Sequence, residues 1–303
     1  MTKKIGFIGQ GWIGKHYADN FEKRGYEVAR YGLAEPHVNN GDKIKECDIV
    51  FIAVPTPTTL AGFSDSILRD VIKNVGEGKI AVIKSTILPG TTESIQKENP
   101  NIYVFHSPEF LTESTAAYDA AHPNRNIIGI PVDSEEYKDK AQEVMEVLPD
   151  SPYKLICASK EAELIKYGGN CWFFFKVIFI NMLYDLAEKL GVDYEIIKEA
   201  MAADPRIGSS HLTPAHDTKD EIKKNQLGYA DFHLNPVHKS GRGAGGHCFI
   251  KDFAAFSKLY KKEIGDEKGL KVLESLAGKN IDLLINSNKD LDLLRGVYGE
   301  NLI

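Results

Sequence analysis

Residues 5–14 of this 303-residue chain read IGFIGQGWIG, a short apolar run followed by glycines in the spacing Gly-x-Gly-x-x-Gly. The apolar run predicts a buried strand, and the amphipathic stretch at residues 16–24 predicts a helix. Between a strand and a helix, Gly9 permits a tight turn, Gly11 lets the backbone approach a pyrophosphate, and Gly14 allows close packing. The helix N-terminus adds N–H donors. The stretch therefore predicts a dinucleotide-binding turn formed by Gly9, Gly11, Trp12, Ile13 and Gly14.

The rest of the first 157 residues alternates short β-branched runs with amphipathic or polar stretches. This alternation is typical of a parallel sheet with helices on both faces. The runs predict strands at residues 4–8, 27–31, 49–54, 79–83, 102–105, 127–130 and 154–157.

A helical periodicity without proline runs from about Ser159 to Leu190, which at 1.5 Å per residue makes a rod on the order of 45 Å long. Shorter helical signals follow at residues 194–202, 253–262 and 269–284. We therefore expect an α/β fold in three parts. These are a Rossmann-type, doubly wound, mainly parallel sheet in residues 1–157, a long connecting helix in residues 158–190, and a smaller all-α domain in residues 191–303.

The net charge, the length of the apolar runs and the cysteine spacing argue against several functional classes. A formal net charge of −6 and a pI near 5.9 give no general attraction to nucleic acid or to an anionic membrane. The most apolar stretch, residues 172–180, is interrupted by Lys176 and is shorter than the roughly 20 apolar residues of a membrane span. The cysteines lack the paired spacing of metal sites or disulfide frameworks. We expect a cytoplasmic protein with reduced thiols that binds neither nucleic acid nor membrane.

A polar segment without clear periodicity, residues 213–239, carries His216, His233 and His238. The spacing of these histidines is irregular, and histidines in surface loops are more often solvated than metal-bound. We interpret the segment as a surface loop or lid and expect no metal site.

The second predicted strand ends in an unusual way for a dinucleotide-binding unit. An acidic residue normally stands there and accepts hydrogen bonds from the adenosine ribose hydroxyls, but residues 28–32 read VARYG. Glu35 in the following loop is one substitute. Arg30 could instead donate to a 2′-phosphate, or it could be a solvated strand residue. We favour NAD as the cofactor and leave NADP open.

Residues 241–248, GRGAGGHC, place Cys248 at the end of a glycine-rich loop and at the start of a predicted helix. Backbone N–H groups at a helix N-terminus favour an anion and therefore favour the thiolate. A dense glycine loop is not needed to bury a small apolar side chain, so we interpret Cys248 as a nucleophile. The other three cysteines, Cys47, Cys157 and Cys171, are interpreted as structural.

Two pairs of polar residues are expected to share helix faces because each pair is four residues apart: Lys166 with Asn170, and Cys248 with Asp252. A lysine–asparagine pair on a helix is by itself more often a solvated edge than a site. His247 is adjacent to Cys248, and adjacent helical residues point apart, so we assign it no role as a base.

Seven motifs of this chain, in this order, resemble those of the UDP-glucose/GDP-mannose dehydrogenase family. The resemblance extends from Lys4 to about Asn288. The motifs are the glycine turn at 9–14, VPTP at 54–57, KST at 84–86 with PGT at 89–91, SPEFLTE at 107–113, the Lys166/Asn170 helix, DPRIG at 204–208, and the Cys248 loop ending in Lys251 and Asp252.

The resemblance implies a four-electron oxidation of a nucleotide-sugar C6 alcohol to a carboxylate by two NAD⁺. Thiolate addition to the aldehyde gives a thiohemiacetal from which a second hydride can leave, and water then cleaves the resulting thioester. The roles that it implies are Cys248 as nucleophile, Lys166 and Asn170 as oxyanion stabilisers, Glu109 and Asp252 as groups that activate or position water, and Thr86 as a group between cofactor and substrate.

The same resemblance implies binding contacts. Besides the glycine turn, NAD contacts are expected at Pro55, Thr56, Thr86, Glu113 and Lys251. Nucleotide-sugar contacts are expected at Glu109, Phe110, Leu111, Lys166, Asn170 and Gly245, with Arg206 reaching the partner subunit's substrate. A homodimer through the long helix follows, and the apolar stretch at 171–183 needs more cover than a small domain supplies.

The chain departs from the family pattern at three points. Family members continue beyond the equivalent of Ile303 into a second nucleotide-binding-type domain. Residues 209–240 exceed the usual loop at the sugar site and form either a lid or a tolerated insertion. Ile250 and Met182 stand where the family usually has proline and glutamate. The sugar and its nucleotide therefore stay open.

Two other functions also stay open. A two-electron 3-hydroxyacid-type dehydrogenase would use the lysine and asparagine of the long helix but no thiol. A relative without turnover would only bind a dinucleotide or a partner.

Overall fold

The structure of the protein is a computed structural model that describes residues 3–112, 115–216 and 240–300. Its elements, in chain order, are β1 Ile5–Ile8, α1 Trp12–Lys23, β2 Val28–Tyr31, α2 Gly41–Lys45, β3 Ile49–Ile52, β4 Thr58–Thr59, β5 Gly62–Phe63, α3 Ser66–Val71, β6 Ile80–Ile83, α4 Thr91–Glu98, β7 Tyr103–His106, α5 Ala116–Ala121, β8 Asn126–Ile130, α6 Glu135–Val147, β9 Lys154–Ala158, α7 Ser159–Leu190, α8 Tyr194–Ala202, β10 Ala215–His216, β11 Gly241–Arg242, α9 Gly246–Glu263, α10 Glu267–Asn286 and α11 Leu291–Tyr298.

The chain divides into two compact units. Unit 1 comprises Met1–Pro57 and Phe63–Lys166, and unit 2 comprises Thr58–Gly62 and Tyr167–Ile303. The two units part within α7, between Lys166 and Tyr167. The division into residues 1–157, 158–190 and 191–303 stays a prediction.

Unit 1 contains a seven-stranded sheet in the order β2-β1-β3-β6-β7-β8-β9. Neighbouring strands are parallel except β7 and β8, which are antiparallel. All seven predicted strands are present, and the α/β, Rossmann-type fold is confirmed. The strand order reverses at β1, between β2 and β3, and ligands of open α/β sheets bind at the carboxyl ends of the strands beside such a reversal.

Both faces of this sheet are covered, which explains why its central strands read as continuous apolar runs. On one face Phe7, Phe51 and Phe105 pack with residues of α1 and α6. On the other face Ile8 and Ile52 pack with residues of α2, α3 and α4. The carboxyl ends of the strands are therefore held by two cores.

Unit 2 is mainly helical. One core joins Phe174 of α7 to Phe253 of α9, whose rings stack with centroids 3.9 Å apart. A second core joins α9, α10 and α11 and includes Ile250. Helix α11 has no counterpart among the predicted helices. Helix α9 begins at Gly246, so Cys248 lies within its first turn.

Helix α7 confirms the long helix predicted from Ser159 to Leu190. By length and composition it is apolar enough to cross a membrane, although 39% of its most apolar 18-residue window is buried. A buried core helix meets the same criterion, so the expected absence of a membrane partner stays a prediction.

Candidate active site

The phosphate-binding turn joins β1 to α1 in unit 1. Gly9 has φ +89°, and a Cβ there would lie 2.1 Å from the Ala53 carbonyl oxygen. A Cβ on Gly14 would lie 1.8 Å from the Gly9 oxygen, whereas a Cβ on Gly11 would meet nothing within 4 Å. Gly9 and Gly14 are thus required by close packing, and Gly11 leaves open space at the start of α1. Because no side chain caps that helix and its first turn carries no acidic residue, the turn fits a dinucleotide pyrophosphate.

The carboxyl ends of β3 and β6 are tied together beside this turn. The Ser85 hydroxyl donates to the Val54 carbonyl at 2.7 Å and accepts from the Val54 N–H at 2.9 Å. The Thr56 hydroxyl donates to the Thr86 carbonyl at 2.6 Å. Thr56 is buried, Thr86 is half-buried and Pro55 is exposed. The predicted cofactor residues Thr56 and Thr86 therefore lie together, because neighbouring parallel strands end at one edge.

Glu109, which follows β7, is paired with Lys166 of α7. The Lys166 Nζ lies 2.9 Å from Glu109 Oε1 and also donates to the Glu109 carbonyl at 2.8 Å. Both side chains are only 6% exposed. The second carboxylate oxygen of Glu109 accepts from the Leu111 N–H at 2.8 Å. Because both charges are buried, loss of either residue would leave the other charge unpaired away from water.

Phe110 lies close to two cations. The Arg125 guanidinium is 3.7 Å from the Phe110 ring centroid, and the Lys166 amine is 5.7 Å from it. Cations are attracted to an aromatic face. Phe110 and Leu111, both half-buried, are therefore fixed beside the Glu109–Lys166 pair, as expected of residues at one site.

Glu163 is a site-supporting residue that the sequence reasoning missed. Its carboxylate accepts from the N–H of Gly90 at 2.6 Å, and from the N–H and hydroxyl of Thr92 at 2.8 and 2.6 Å. It thereby caps the N-terminus of α4 and ties the PGT motif at 89–91 to α7, one turn before Lys166. Its position between Ala162 and Leu164, on the same helix as Lys166, is the available signal.

In unit 2, Cys248 differs from the other three cysteines by its exposure. Burial raises the pKa of Cys47 and of Cys157 to about 11. Burial, followed by the nearby charge of Asp252, raises the pKa of Cys171 to about 12. These three thiols are poor nucleophiles near neutral pH. The interpretation of Cys248 as the candidate nucleophile agrees with this contrast.

The glycine loop before Cys248 is held by side chains from the end of α10 and the turn after it. Asn280 makes two hydrogen bonds to Ala244, at 2.7 Å to its N–H and 3.0 Å to its carbonyl. Lys289 donates to the carbonyls of Gly241 and Gly243 at 3.1 and 3.3 Å. The Asp290 carboxylate accepts from the Gly246 N–H at 2.7 Å. The loop is therefore a fixed structure.

The Asp290 carboxylate bears on the prediction that backbone N–H groups at the start of α9 favour a thiolate, which stays a prediction. The first N–H of α9 is already occupied by Asp290, whose negative charge lies at the same helix end as the thiol. Asn280, Lys289 and Asp290 were also missed. They lie more than 30 residues after the loop in sequence, and no local pattern joins them to it.

Asp252 is 1% exposed and lies beside two polar groups of unit 2. The Asn170 amide donates to its Oδ2 at 2.6 Å, and the Lys251 amine pairs with its Oδ1. The structure thus joins Asn170 to Asp252 and Lys166 to Glu109. Periodicity placed Lys166 with Asn170 on a helix face, but their functional partners come from other segments.

Other predicted residues lie apart from these groups or outside the described chain. Arg206 is 86% exposed and pairs with Asp204 at 2.6 Å; its role toward a partner subunit stays a prediction. A Cβ on Gly245 would lie 2.1 Å from Asp290 Oδ2, so this glycine is required by packing. Glu113, like His233 and His238, lies outside the described residues.

Arg30, near the end of β2, bears on whether the cofactor is NAD or NADP. The Arg30 guanidinium donates to Glu22 at 2.9 Å and to Asp19 at 2.7 Å. Its side chain is 12% exposed. Arg30 is therefore neither a solvated strand residue nor free to meet a 2′-phosphate, which favours NAD over NADP.

Within residues 3–112, 115–216 and 240–300, no group of three or more His, Cys, Asp and Glu side chains is placed to hold a metal ion. Because residues 217–239 are outside these ranges, the expectation of no metal stays a prediction.

The fold, the buried Glu109–Lys166 pair and the exposed Cys248 after its glycine loop define a class of protein. It is a dinucleotide-binding α/β protein with an exposed thiol. Residues 32–148 match the model of the UDP-glucose/GDP-mannose dehydrogenase family NAD-binding domain, and residues 160–218 match the model of that family's central domain. The chain belongs to the UDP-glucose/GDP-mannose dehydrogenase family. The expected resemblance is thereby confirmed, and the match to an NAD-binding domain agrees with the expected cofactor.

Known relatives support this membership. A UDP-glucose 6-dehydrogenase of Rickettsia bellii is 28% identical over 249 residues, which cover 79% of this chain and 50% of that protein. The solved structure of a UDP-glucose dehydrogenase from the hyperthermophilic archaeon Pyrobaculum islandicum is 25% identical with a TM-score of 0.71, covering 92% of this chain and 68% of that one. The chain spans about a third to a half of the length of the first curated relatives it matches.

One solved structure bears on the alternative of a hydroxyacid enzyme. Mycobacterium tuberculosis 3-hydroxyisobutyrate dehydrogenase is 16% identical with a TM-score of 0.66, covering 98% of this chain and 99% of that chain. At this identity the likeness shows the fold alone.

Proposed function

We propose that this chain oxidises the C6 alcohol of a nucleotide sugar to a carboxylate, using two NAD⁺ and a covalent thioester on Cys248. The observation that carries the proposal is the contrast among thiols. Cys248 is exposed in the first turn of α9, after a loop held by side chains. Cys47 and Cys171 are buried and Cys157 is half-buried, and burial raises the pKa of all three, so they stay protonated near neutral pH. A simple alcohol dehydrogenase needs no such thiol.

The chemistry requires a nucleophile between the two oxidations. The aldehyde has no hydroxyl on the reacting carbon, so addition of the Cys248 thiolate makes a thiohemiacetal with a C–H that can leave as hydride. NAD⁺, when bound, accepts the hydride in each oxidation. Water then adds to the thioester, the C–S bond breaks, and the carboxylate leaves with release of the thiolate. Three protons are released in total for each sugar.

The residues around these steps divide into two groups. In unit 1 Glu109 is buried and ionically paired with Lys166, which suits a carboxylate that takes a proton from water and an ammonium that stabilises negative oxygen. In unit 2 the Asn170 amide is oriented by Asp252, so that its remaining N–H is fixed as a donor. Thr86, half-buried at the strand ends, is assigned to the region between cofactor and sugar.

We also propose that the chain acts in the cytoplasm and that it forms a homodimer through α7. One face of this helix exposes apolar side chains at spacings of three, four and seven residues; they are Trp172, Phe179, Met182, Leu186 and Leu190, each 52–66% exposed. Such a face is more apolar than a free surface helix normally presents. Sedimentation of the purified chain measures the proposed dimer directly, and a monomer at micromolar concentration would contradict it.

The test is stoichiometric. The chain is incubated with NAD⁺ and a panel of UDP- and GDP-hexoses, and NADH formed is divided by sugar consumed. We expect two NADH per sugar with at least one substrate. One NADH per sugar would indicate the two-electron hydroxyacid-type reaction, and none would indicate a protein that binds without turnover.

Cys248→Ala separates the two oxidations. We expect it to abolish uronate formation while leaving NADH binding, measured by fluorescence, unchanged. Cys171→Ala is the matched control, since that thiol is buried and protonated near neutral pH. Wild-type turnover in Cys248→Ala would rule out the thioester.

A further inference from the structure

A second buried cluster lies in unit 1 where β6 and β7 end, and none of the roles above uses it. Lys84 follows β6, while His106 ends β7 and Ser107 follows it. These residues are 3%, 0% and 1% exposed. The Lys84 Nζ donates to the Ser107 hydroxyl at 3.2 Å and lies 4.5 Å from the centroid of the Tyr17 ring on α1. An amine is thus enclosed beneath the strand ends.

Lys84 and Lys166 are both buried, but they differ in their partners. Lys166 is paired with the carboxylate of Glu109. Among the residues that the structure describes, Lys84 makes no ion pair, and its partners are a hydroxyl and a ring face. Burial lowers the pKa of Lys84 from 10.5 to about 7, with the charge of Glu109 opposing that change and the charge of Lys166 adding to it. An amine in this position exchanges a proton near neutral pH.

The neighbouring His106 and Tyr17 do not exchange a proton near neutral pH. Burial, followed by the charge of Lys84, lowers the pKa of His106 to about 3, so its ring stays neutral. Neither ring nitrogen of His106 makes a hydrogen bond of normal geometry within the described residues. Burial, followed by the charges of Glu109 and of Asp119 on α5, raises the pKa of Tyr17, which stays protonated. The histidine here is not the neutral-pH switch that histidine usually provides.

We propose that Lys84 is a positioning residue that acts through the Glu109–Lys166 pair. By gaining or losing one proton it decides whether this cluster of two lysines and one carboxylate carries a net positive charge or none. The inference rests on the proposed function, in which Glu109 takes a proton from water. A protonated Lys84 adds a positive charge that opposes the transfer of a proton from water to Glu109, whereas a neutral Lys84 does not. Turnover therefore rises with pH as Lys84 loses its proton.

The first arm of the test needs no substrate. In the folded chain the pKa of Lys84 is depressed, so unfolding takes up a proton between about pH 7 and the ordinary value of 10.5. The buried amine therefore destabilises the fold most at and below pH 7, and this destabilisation shrinks as pH rises through that window. We expect Lys84→Met to be more stable than wild type at about pH 6, with the difference between their urea midpoints shrinking steadily toward about pH 9. A difference that does not change with pH would overturn the ionisation of Lys84.

Ser107→Ala supplies a graded variant that keeps the amine. It removes the hydroxyl that accepts from Lys84, so the charged form loses a partner and the titration shifts to lower pH. If Lys84→Met does not fold, the same two measurements on Ser107→Ala decide the matter. An unshifted titration in this variant would also overturn the proposal.

The second arm measures NADH formation with UDP-glucose as the probe substrate from about pH 6 to pH 8. Because Lys84→Met replaces no other titratable group, the ratio of the Lys84→Met rate to the wild-type rate isolates Lys84. We expect this ratio to be roughly tenfold higher at pH 6 than at pH 8, the change expected for a single group with a pKa near 7. A constant ratio would overturn the positioning role. Absence of turnover with any sugar would overturn that role together with the proposed function, while the urea arm would still report whether Lys84 ionises.

Discussion

Units 1 and 2 each bury a carboxylate against a polar side chain of α7, but they do so differently. In unit 1 Glu109 meets the ammonium of Lys166 at 2.9 Å, and both side chains are 6% exposed. In unit 2 Asp252 meets the neutral amide of Asn170 at 2.6 Å and the ammonium of Lys251, whose side chain is 21% exposed. One carboxylate relies on a fully buried cation, while the other shares a neutral donor and a cation that reaches solvent.

Two carboxylates with similar burial therefore need not depend equally on one partner. Removal of one member of a buried ion pair leaves an unpaired charge away from water, which is far more costly than loss of a neutral hydrogen bond. Glu109 should therefore depend on Lys166 for folding as well as for chemistry. Asp252 should keep a partner when Asn170 is lost.

Unfolding should respond most strongly to loss of the buried cation beside Glu109. Lys166→Met should lower the free energy of unfolding by roughly 3–5 kcal/mol, because Glu109 loses its buried cation. Asn170→Ala should lower it by only about 1–3 kcal/mol, because Lys251 still pairs with Asp252. Urea denaturation without substrate measures both. Equal losses in the two variants would contradict the distinction between the two carboxylates.

The two units also differ in how much of them the sequence predicts. In unit 1 the apolar runs place seven strands, and parallel strands end at one edge, so Thr56, Thr86 and Glu109 are expected near each other. In unit 2 periodicity states only which residues share a helix face. It cannot tell that Asp252 will face Asn170, because that contact depends on how α9 packs against α7 through Phe174 and Phe253.

The sequence predicts where glycines are needed, but it does not predict which contact excludes a side chain at each of them. The sequence predicted that Gly9, Gly11 and Gly14 form a phosphate turn, and the close approaches at Gly9 and Gly14 explain two of them. Gly245 was assigned to substrate contact by resemblance, but the immediate physical reason for it is Asp290, a residue 45 positions later that has no local signal.

Alanine at Gly245 and at Gly11 should have contrasting effects on stability and on cofactor binding. Gly245→Ala should reduce turnover by about 100-fold, since a displaced thiol loop misplaces the nucleophile, and should lower stability by about 1–3 kcal/mol through overpacking against Asp290. Gly11→Ala should leave stability nearly unchanged, because its Cβ meets nothing within 4 Å, but should weaken NADH binding by filling the space for the pyrophosphate.

Denaturation, NADH fluorescence titration and steady-state rates separate the two variants. Gly278→Ala, which also has open space around the added Cβ but lies within α10, is the control for the substitution itself. Normal turnover in Gly245→Ala would show that the clamp by Asp290 does not position the thiol.

The choice between NAD and NADP should respond more weakly to substitution. Asp19→Asn combined with Glu22→Gln removes both carboxylates that hold Arg30, which leaves its guanidinium able to meet a 2′-phosphate. We expect the preference for NAD over NADP to fall by roughly tenfold, equivalent to about 1.4 kcal/mol. Lys15→Gln is the matched control, since it loses the Lys15–Asp19 pair without removing either partner of Arg30.

The preference is measured as the ratio of dissociation constants for NADH and NADPH, which requires no turnover. Adding Arg30→Gln to the double variant should cancel the gain, because the freed guanidinium is its physical cause. If the gain persists without Arg30, the lost negative charge of Asp19 and Glu22 alone accounts for it, and Arg30 has no part in cofactor choice.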